Sequence, residues 1–343
     1  MKAALLYSGA NKLSVEDVPV PVLTAGAARI RVKACGVCGS DVHAVFDRQL
    51  KPSSYPRILG HEASGVVMET GDGVSSLKKG DRVVIAAGTS CGSCPQCDRG
   101  RWNACEKVGV LGFDSDGAFA EEIVVAEKFL VKLPDSVPFD QGAILADAVS
   151  TPYHAIKYAG RFEAGESAAV FGCGGLGIHG VLILKALGAS RVFALDLDDG
   201  ALENASKAGA DVCLNIRGVK SPGKLLKEKS GGIDLAVDFS GFYGNVEQSM
   251  RCLNTLGRIV LVGLGRSSLE ITIPSIITFR QLSICGSYGS DARALPELLD
   301  LFTSGKLNLS RSITSRHPLS EVNDCLTNLH ERKGNPIRFI MEP

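Results

Sequence analysis

The sequence predicts an α/β protein built as two domains, an all-β unit followed by a parallel-sheet unit with crossover helices. Three observations predict it. Up to about Pro134, short apolar alternations recur between Gly, Asp and Pro turns, the pattern of a barrel-like or sandwich-like β unit. From about Thr151, apolar runs alternate with helix-length segments, as strands joined by crossover helices do. The first of those runs ends in a glycine-rich turn, Gly172 to Gly177, that opens a helix. The length, 343 residues, suits two domains of roughly 100–200 residues each.

The elements follow in order. Ala3-Ala4-Leu5-Leu6-Tyr7 reads as a first strand; it is too short for a signal-peptide core and no cleavage-like site follows it. Strand patterns recur at Ala28 to Ala34, Ala63 to Val67, Arg82 to Ala86 and Phe119 to Val125, with turns at Thr70-Gly71-Asp72-Gly73 and Lys79-Gly80-Asp81. In the second part, Ala168 to Phe171, Arg191 to Leu195, Ile233 to Phe239 and Arg258 to Val262 are the expected strands. Ile178 to Leu187 and Gly200 to Ala208 are expected helices, and Lys224 to Lys229, interrupted by leucines, is a solvated helix face. The tail adds a helix (Arg293 to Phe302), a short helix (Leu319 to Leu329) and a strand (Ile337 to Met341). No internal repeat or low-complexity segment interrupts this order.

Lys+Arg number 37 and Asp+Glu number 37, so the formal charge is +0. Nucleic acid and anionic membrane, which need a basic surplus, are excluded as main partners. No apolar run approaches the ~18 residues of a membrane span. The expected location is the cytoplasm. Eleven cysteines in that reducing compartment point to metal rather than to disulfides, because they cluster.

Gly172-Cys173-Gly174-Gly175-Leu176-Gly177 is a G-x-G-x-x-G turn between a strand and a helix. Gly172 permits the tight turn, Gly174 lets a pyrophosphate approach the backbone, and Gly177 lets the helix pack on the strand. Gly175 and Leu176 complete the cradle at the helix N-terminus, whose free N–H groups favour an anion. Asp196 ends the next strand, 19 residues after Gly177, close to the ~20 expected of an acid that accepts from the adenosine ribose hydroxyls. A carboxylate there repels a 2′-phosphate, and Leu197-Asp198-Asp199 adds negative charge, so NAD is expected over NADP.

Cys91, Cys94, Cys97 and Cys105 form C-x2-C-x2-C-x7-C in a segment rich in Gly, Ser and Pro. Four thiolates close a tetrahedral zinc with no open position, a structural site; an iron–sulfur cluster is the chemical alternative. A nucleic-acid-binding zinc ribbon is disfavoured by the neutral charge. Cys38 and His61 are dispersed and weak taken singly. A catalytic zinc wants three protein ligands and one open place.

Together these residues resemble the zinc-dependent medium-chain alcohol dehydrogenases of the medium-chain dehydrogenase/reductase superfamily. The matching pieces are G-V-C-G-S-D-V-H, G-H-E-A-S-G-V-V, K-K-G-D-R-V, the four-cysteine lobe, the glycine turn with its acid, and the closing C-L-T-N-L and R-F-I-M-E-P. The resemblance implies a chaperonin-10-like (GroES-like) catalytic domain at 1–148 completed by 287–343, with a Rossmann dinucleotide-binding domain at 149–286 and the active site in the cleft. It implies Cys38, His61 and Asp147 as catalytic zinc ligands, with Thr151 touching the nicotinamide. Glu62 becomes an acid able to approach the metal, and Asp41 orients His61 and fixes its tautomer. Ser40 becomes a hydroxyl relay that passes the proton through the cofactor ribose to His43 and solvent. Arg338 matches an arginine that reaches the pyrophosphate, although Ile337 replaces the usual glycine before it. Val262 lines the nicotinamide pocket.

The implied activity is reversible oxidation of a primary or secondary alcohol to an aldehyde or ketone, by hydride transfer from a zinc-bound alkoxide to NAD+. One catalytic and one structural zinc per chain and NAD are the implied cofactors. The implied partners are the small-molecule substrate and further copies of the chain, as a tetramer or dimer. The alternatives are a dehydrogenase of a cyclic or acyl-CoA hydroxy substrate, faintly echoed by Ala146 to Tyr153, a metal-independent enone or quinone reductase, and a non-enzymatic dinucleotide sensor. Two departures stand out. Gly39 occupies a place where some relatives carry a cation, and an aspartate ligand is harder than a thiolate and makes the metal more exchangeable.

Overall fold

A computed structural model describes residues 1–291 and 293–343. Two units emerge from its contacts, residues 1–150 with 289–343 and residues 151–288.

The first unit is built on a mostly antiparallel sheet. Its strands run Leu130–Lys132, Arg82–Ile85, Glu62–Thr70, Ala27–Val37, Phe339–Glu342 and Ser315–Pro318, and Glu122–Ala126 also pairs with Ala27–Val37. Only the last two pair in parallel. Ala27–Val37 explains much of the site. Its middle alternates, with Ile30 and Val32 buried and Arg31 and Lys33 exposed, and then every residue from Ala34 to Val37 is buried. A strand with one wet face thus runs into a dry interior at the end where Cys38 follows. Lys2–Leu6, the expected first strand, pairs with Ser14–Asp17 and Arg57–Ile58 in a small separate sheet. Arg316 of the tail strand Ser315–Pro318 donates from Nε to Asp140 Oδ2 at 2.9 Å. That bond ties the tail to the helix Phe139–Ile144, which leads to Asp147.

The second unit is a six-stranded parallel sheet in the order Val212–Asn215, Arg191–Asp196, Ser167–Phe171, Ile233–Asp238, Leu253–Leu261 and Ser283–Gly286. The first strand in sequence lies inside the sheet, and later strands are added on either side of it. That reversal opens a crevice at the carboxyl ends of the strands, the place where doubly wound sheets bind ligands. Phe171, Phe193, Leu195, Met250 and Ile259 fill one face of the core.

The α/β architecture expected from the sequence is present. The edge strands Val212–Asn215 and Ser283–Gly286 were not apparent in it, being four residues each and only partly buried. The expected strand at Arg258 to Val262 begins earlier, at Leu253, because polar Asn254 and Thr255 and a register shift against Ile233–Asp238 hide its start. The lysine-rich stretch lies on the helix Pro222–Ser230, with Lys224 beside Glu228 at the surface and Leu226 buried. Among the described residues no helix is long and apolar enough to cross a membrane.

Candidate functional site

Three groups of residues carry chemistry, two in the first unit and one in the second.

Cys38 follows the buried end of Ala27–Val37 and opens the short helix Gly39–Val42; its N–H donates to Asp41 Oδ2 at 2.9 Å. Glu62 begins the neighbouring antiparallel strand, opposite Gly36. This register sets His61 beside Cys38. It also lays the Glu62 side chain over Gly36, where a Cβ would stand 2.2 Å from Glu62 Oε2. Any other residue at Gly36 would expel that carboxylate. Asp147 lies in a π-helical turn, Leu145–Val149, of the kind that widens a helix locally at functional sites.

These elements bring Cys38, His61, Glu62 and Asp147 together, each offering a donor atom within 4.8 Å of the others. Asp147 Oδ2 is 3.6 Å from both Cys38 Sγ and His61 Nε2. Bonds of ~2.0–2.3 Å to a tetrahedral zinc place neighbouring ligand atoms about 3.3–3.8 Å apart, so the spacing fits that ion.

The charges fit as well. Asp41 and Glu62 are fully buried, and Asp41 Oδ1 faces His61 Nδ1 at 3.6 Å. Among the described residues, both Glu62 oxygens, Asp41 Oδ1 and His61 Nδ1 are buried with no hydrogen-bond partner. Burial pushes Glu62 up to about 7 against the opposing pull of Arg338. Burial also opposes a charge on His61, but Asp41 and Asp147 outweigh it and hold its pKa well above the ordinary value. A buried cluster with this surplus of carboxylate is a place for a cation.

Ser40 Oγ is 3.6 Å from Cys38 Sγ. His43 is partly exposed, and its Nδ1 is 2.7 Å from Asp47 Oδ2 one turn on. The His43–Asp47 spacing of four residues is the signal by which this partner is legible in the sequence. Phe113, also absent from the sequence reading, tilts its ring against His61 with centroids 6.0 Å apart and supplies an apolar wall. Arg338, expected at a pyrophosphate, is 2% exposed and set into the wall of the donor cluster. Its Nη1 donates to the Val37 carbonyl at 3.0 Å and its Nε is 3.4 Å from Glu62 Oε2.

The second group is the four-cysteine lobe. Neighbouring sulfurs lie 3.5–4.0 Å apart (Cys91–Cys105 3.5, Cys94–Cys97 3.6, Cys94–Cys105 3.8, Cys91–Cys97 4.0). Four sulfurs at ~2.3 Å from a zinc stand about 3.8 Å apart. Backbone N–H groups of Cys91 and Lys107 donate to Cys105 Sγ, each at 3.3 Å, and that of Ser93 to Cys91 Sγ at 3.5 Å. Such donors favour thiolate; the Ser93 N–H leads in pulling Cys91 down to about 6.

The third group is the glycine turn. Gly172 has φ +84°, and a Cβ there would meet Ser240 N at 2.9 Å. Gly174 has nothing within 4 Å of its Cβ position, leaving open space over the backbone. At Gly177 a Cβ would stand 1.8 Å from the Gly172 carbonyl oxygen, so only glycine lets the helix Gly177–Ala186 start here. Leu176 is its N-cap, and the Gly175 carbonyl lies 2.6 Å from His179 Nδ1. Asp196 reaches the turn from the next strand, its Oδ2 accepting the Cys173 N–H at 2.7 Å. Thr151 is buried in the helix Ser150–Tyr153, and Val262 follows the strand Leu253–Leu261 with its N–H on the Asp238 carbonyl at 2.9 Å. Gly177→Ala is expected to push helix from strand, weakening NADH binding about tenfold or more and lowering stability by about 1–3 kcal/mol. Nicotinamide fluorescence titration and thermal melts check it.

Comparison with known proteins finds relatives over nearly the whole chain. Residues 24–135 match the family described as "Alcohol dehydrogenase GroES-like domain", and residues 175–304 match "Zinc-binding dehydrogenase". An alcohol dehydrogenase of Geobacillus stearothermophilus is 36% identical over 326 residues, 94% of each chain. A D-xylulose reductase A of Aspergillus niger is 31% identical, covering 96% of this chain and 94% of its own. Among solved structures, an alcohol dehydrogenase from E. coli CFT073 complexed with NADH aligns with TM-score 0.92 at 29% identity, over 100% of this chain and 99% of that one.

Proposed function

The chain belongs to the zinc-dependent medium-chain alcohol dehydrogenase family, and from that membership we propose that it oxidises a small primary or secondary alcohol, polyols included, with NAD+ and reduces the aldehyde or ketone in reverse. The observation that carries the reading is the cluster of Cys38, His61, Glu62 and Asp147 donor atoms within 4.8 Å. Polyols enter because a similar chain is a D-xylulose reductase.

Cys38, His61 and Asp147 would hold a zinc, with Glu62 in reach of it; Cys91, Cys94, Cys97 and Cys105 would hold a structural one. When bound, the catalytic zinc supplies a Lewis acid that makes a substrate hydroxyl more acidic, and NAD+ accepts the hydride. The rest of the work falls to the chain. Phe113 keeps water from one side of His61. Asp41 faces the outer nitrogen of His61 and favours the tautomer that frees Nε2 for a metal. Ser40, beside Cys38, would accept the substrate proton as it releases its own hydroxyl proton, and the partly exposed His43, held by Asp47, would exchange protons with solvent. Gly172, Gly174, Gly175, Leu176 and Gly177 cradle the pyrophosphate, and Asp196 accepts from the ribose. Among the described residues no two cysteines are joined in a disulfide, so those of the two donor groups are available to a metal.

The test is a panel of linear, cyclic, polyol and acyl-CoA alcohols assayed by NAD+ reduction, with zinc measured per chain. Activity on an alcohol that is lost on chelation and restored by zinc is expected. Undiminished turnover after complete zinc removal would overturn the reading in favour of a metal-independent reductase.

A further inference from the structure

The adenosine end of the glycine turn carries a cation invisible beside Asp196 in the sequence, where Leu197, Asp198 and Asp199 follow. Asp196 pairs with Asn215 of the neighbouring parallel strand, and Ile216 N–H donates to the Asp196 carbonyl at 2.9 Å. The sheet therefore brings Arg217 to the same edge. Its Nε donates to the Leu197 carbonyl at 2.9 Å, and its backbone N–H to Asn215 Oδ1 at 2.9 Å. The guanidinium is pinned at Nε on an exposed rim, and among the described residues neither Nη has a hydrogen-bond or ion-pair partner.

The carboxylates at this edge are occupied. Asp196 Oδ2 accepts from Cys173 N–H at 2.7 Å, and Oδ1 accepts from Leu197 and Asp198 N–H at 2.7 and 3.1 Å. Of the roughly four acceptor sites of a carboxylate, about one remains for a ribose hydroxyl. Asp198 Oδ1 caps the helix Asp199–Lys207 through Ala201 N–H at 3.0 Å, and Asp199 Oδ1 accepts from Asn215 Nδ2 at 2.6 Å. An acid at this place selects unphosphorylated ribose by accepting from its hydroxyls; a nearby arginine accommodates a 2′-phosphate. Here three N–H donors occupy most of the acid's acceptor sites, and the arginine beside it keeps a fork of donors that matches a phosphate.

We propose that Arg217 is a specificity-determining residue, admitting a 2′-phosphomonoester so that the chain binds NADP(H) as well as NAD(H). The proposal rests on the dinucleotide reading above and deepens it.

Titrations of the full chain with NADH and with NADPH, followed by nicotinamide fluorescence, test it. Wild type is expected to bind NADPH within about tenfold of NADH. Arg217→Ala should raise the ratio of the NADPH to the NADH Kd about tenfold or more, the scale of losing a charge-assisted pair. Arg217→Lys, which keeps the charge, should recover part of that ratio. A wild-type ratio beyond about a hundred, or a ratio unmoved by Arg217→Ala in a chain whose thermal melt is normal, overturns the proposal. Binding of neither cofactor overturns the dinucleotide reading itself, and this proposal with it.

Discussion

Asp147→Ala is expected to strip the ion from the donor cluster and to lower alcohol oxidation about 10³-fold or more, the kinetic equivalent of the several kcal/mol that a Lewis acid contributes. The fold should survive. Asp147 lies among Cys38, His61 and Glu62, and its removal takes a negative charge from a crowded, mostly buried set. Metal analysis should therefore show the loss of the catalytic ion alone, while zinc stays on the cysteine lobe. Asp147→Cys offers a thiolate from the same π-helical turn and should hold metal again. His61→Ala should repeat the loss from the opposite side of the cluster. Unchanged turnover in both alanine variants would remove the basis for placing the reaction here.

Cys97→Ser is expected to act on stability instead. The segment from Cys91 to Cys105 has two short helical turns, Pro95–Asp98 and Trp102–Ala104, and its buried core is Cys94, Cys97 and Cys105 with Trp102 packed on them. Very little apolar surface holds it together, so a zinc bound by the four sulfurs would supply most of its folding free energy. Burial pushes Cys97 up to about 11, so without an ion this sulfur keeps its proton. A serine there gives a poor fourth ligand. The expected results are loss of the lobe's zinc, new proteolytic cuts between 91 and 105, and a Tm lower by about 5 °C or more. A variant that keeps its zinc and melts as wild type would show that the four sulfurs are not its ligands.

Much of this was legible in the residues. The glycine turn declares itself, because Gly172 and Gly177 serve local geometry that a six-residue spacing can encode. The cysteine lobe does too, since its four sulfurs lie within one short loop. Cys38 and His61 took on meaning only through the family resemblance, because what joins them is the register of Ala27–Val37 against Glu62–Thr70. Register depends on the whole sheet and is not carried by either strand alone. The same holds for Arg338, which is 276 positions from Glu62 yet 3.4 Å from its carboxylate, and for Arg217, which reaches Leu197 only through strand pairing. The π-helical turns at His43–Asp47 and Leu145–Val149 left no trace in apolar periodicity, since a single widened turn does not alter which residues are apolar.

The strand Phe339–Glu342 pairs with Cys35, Gly36 and Val37, yet the whole of residues 151–288 separates the two in the chain. During translation, then, the parallel-sheet unit leaves the ribosome complete and can fold from consecutive segments. The other unit waits with the backbone edge just before Cys38 uncovered. An uncovered edge of that kind invites the wrong strand, from this chain or a neighbour. Slow elongation near the carboxyl end would prolong that exposure, so misassembly in a cell should concentrate in nascent chains halted between the two units and the last few codons.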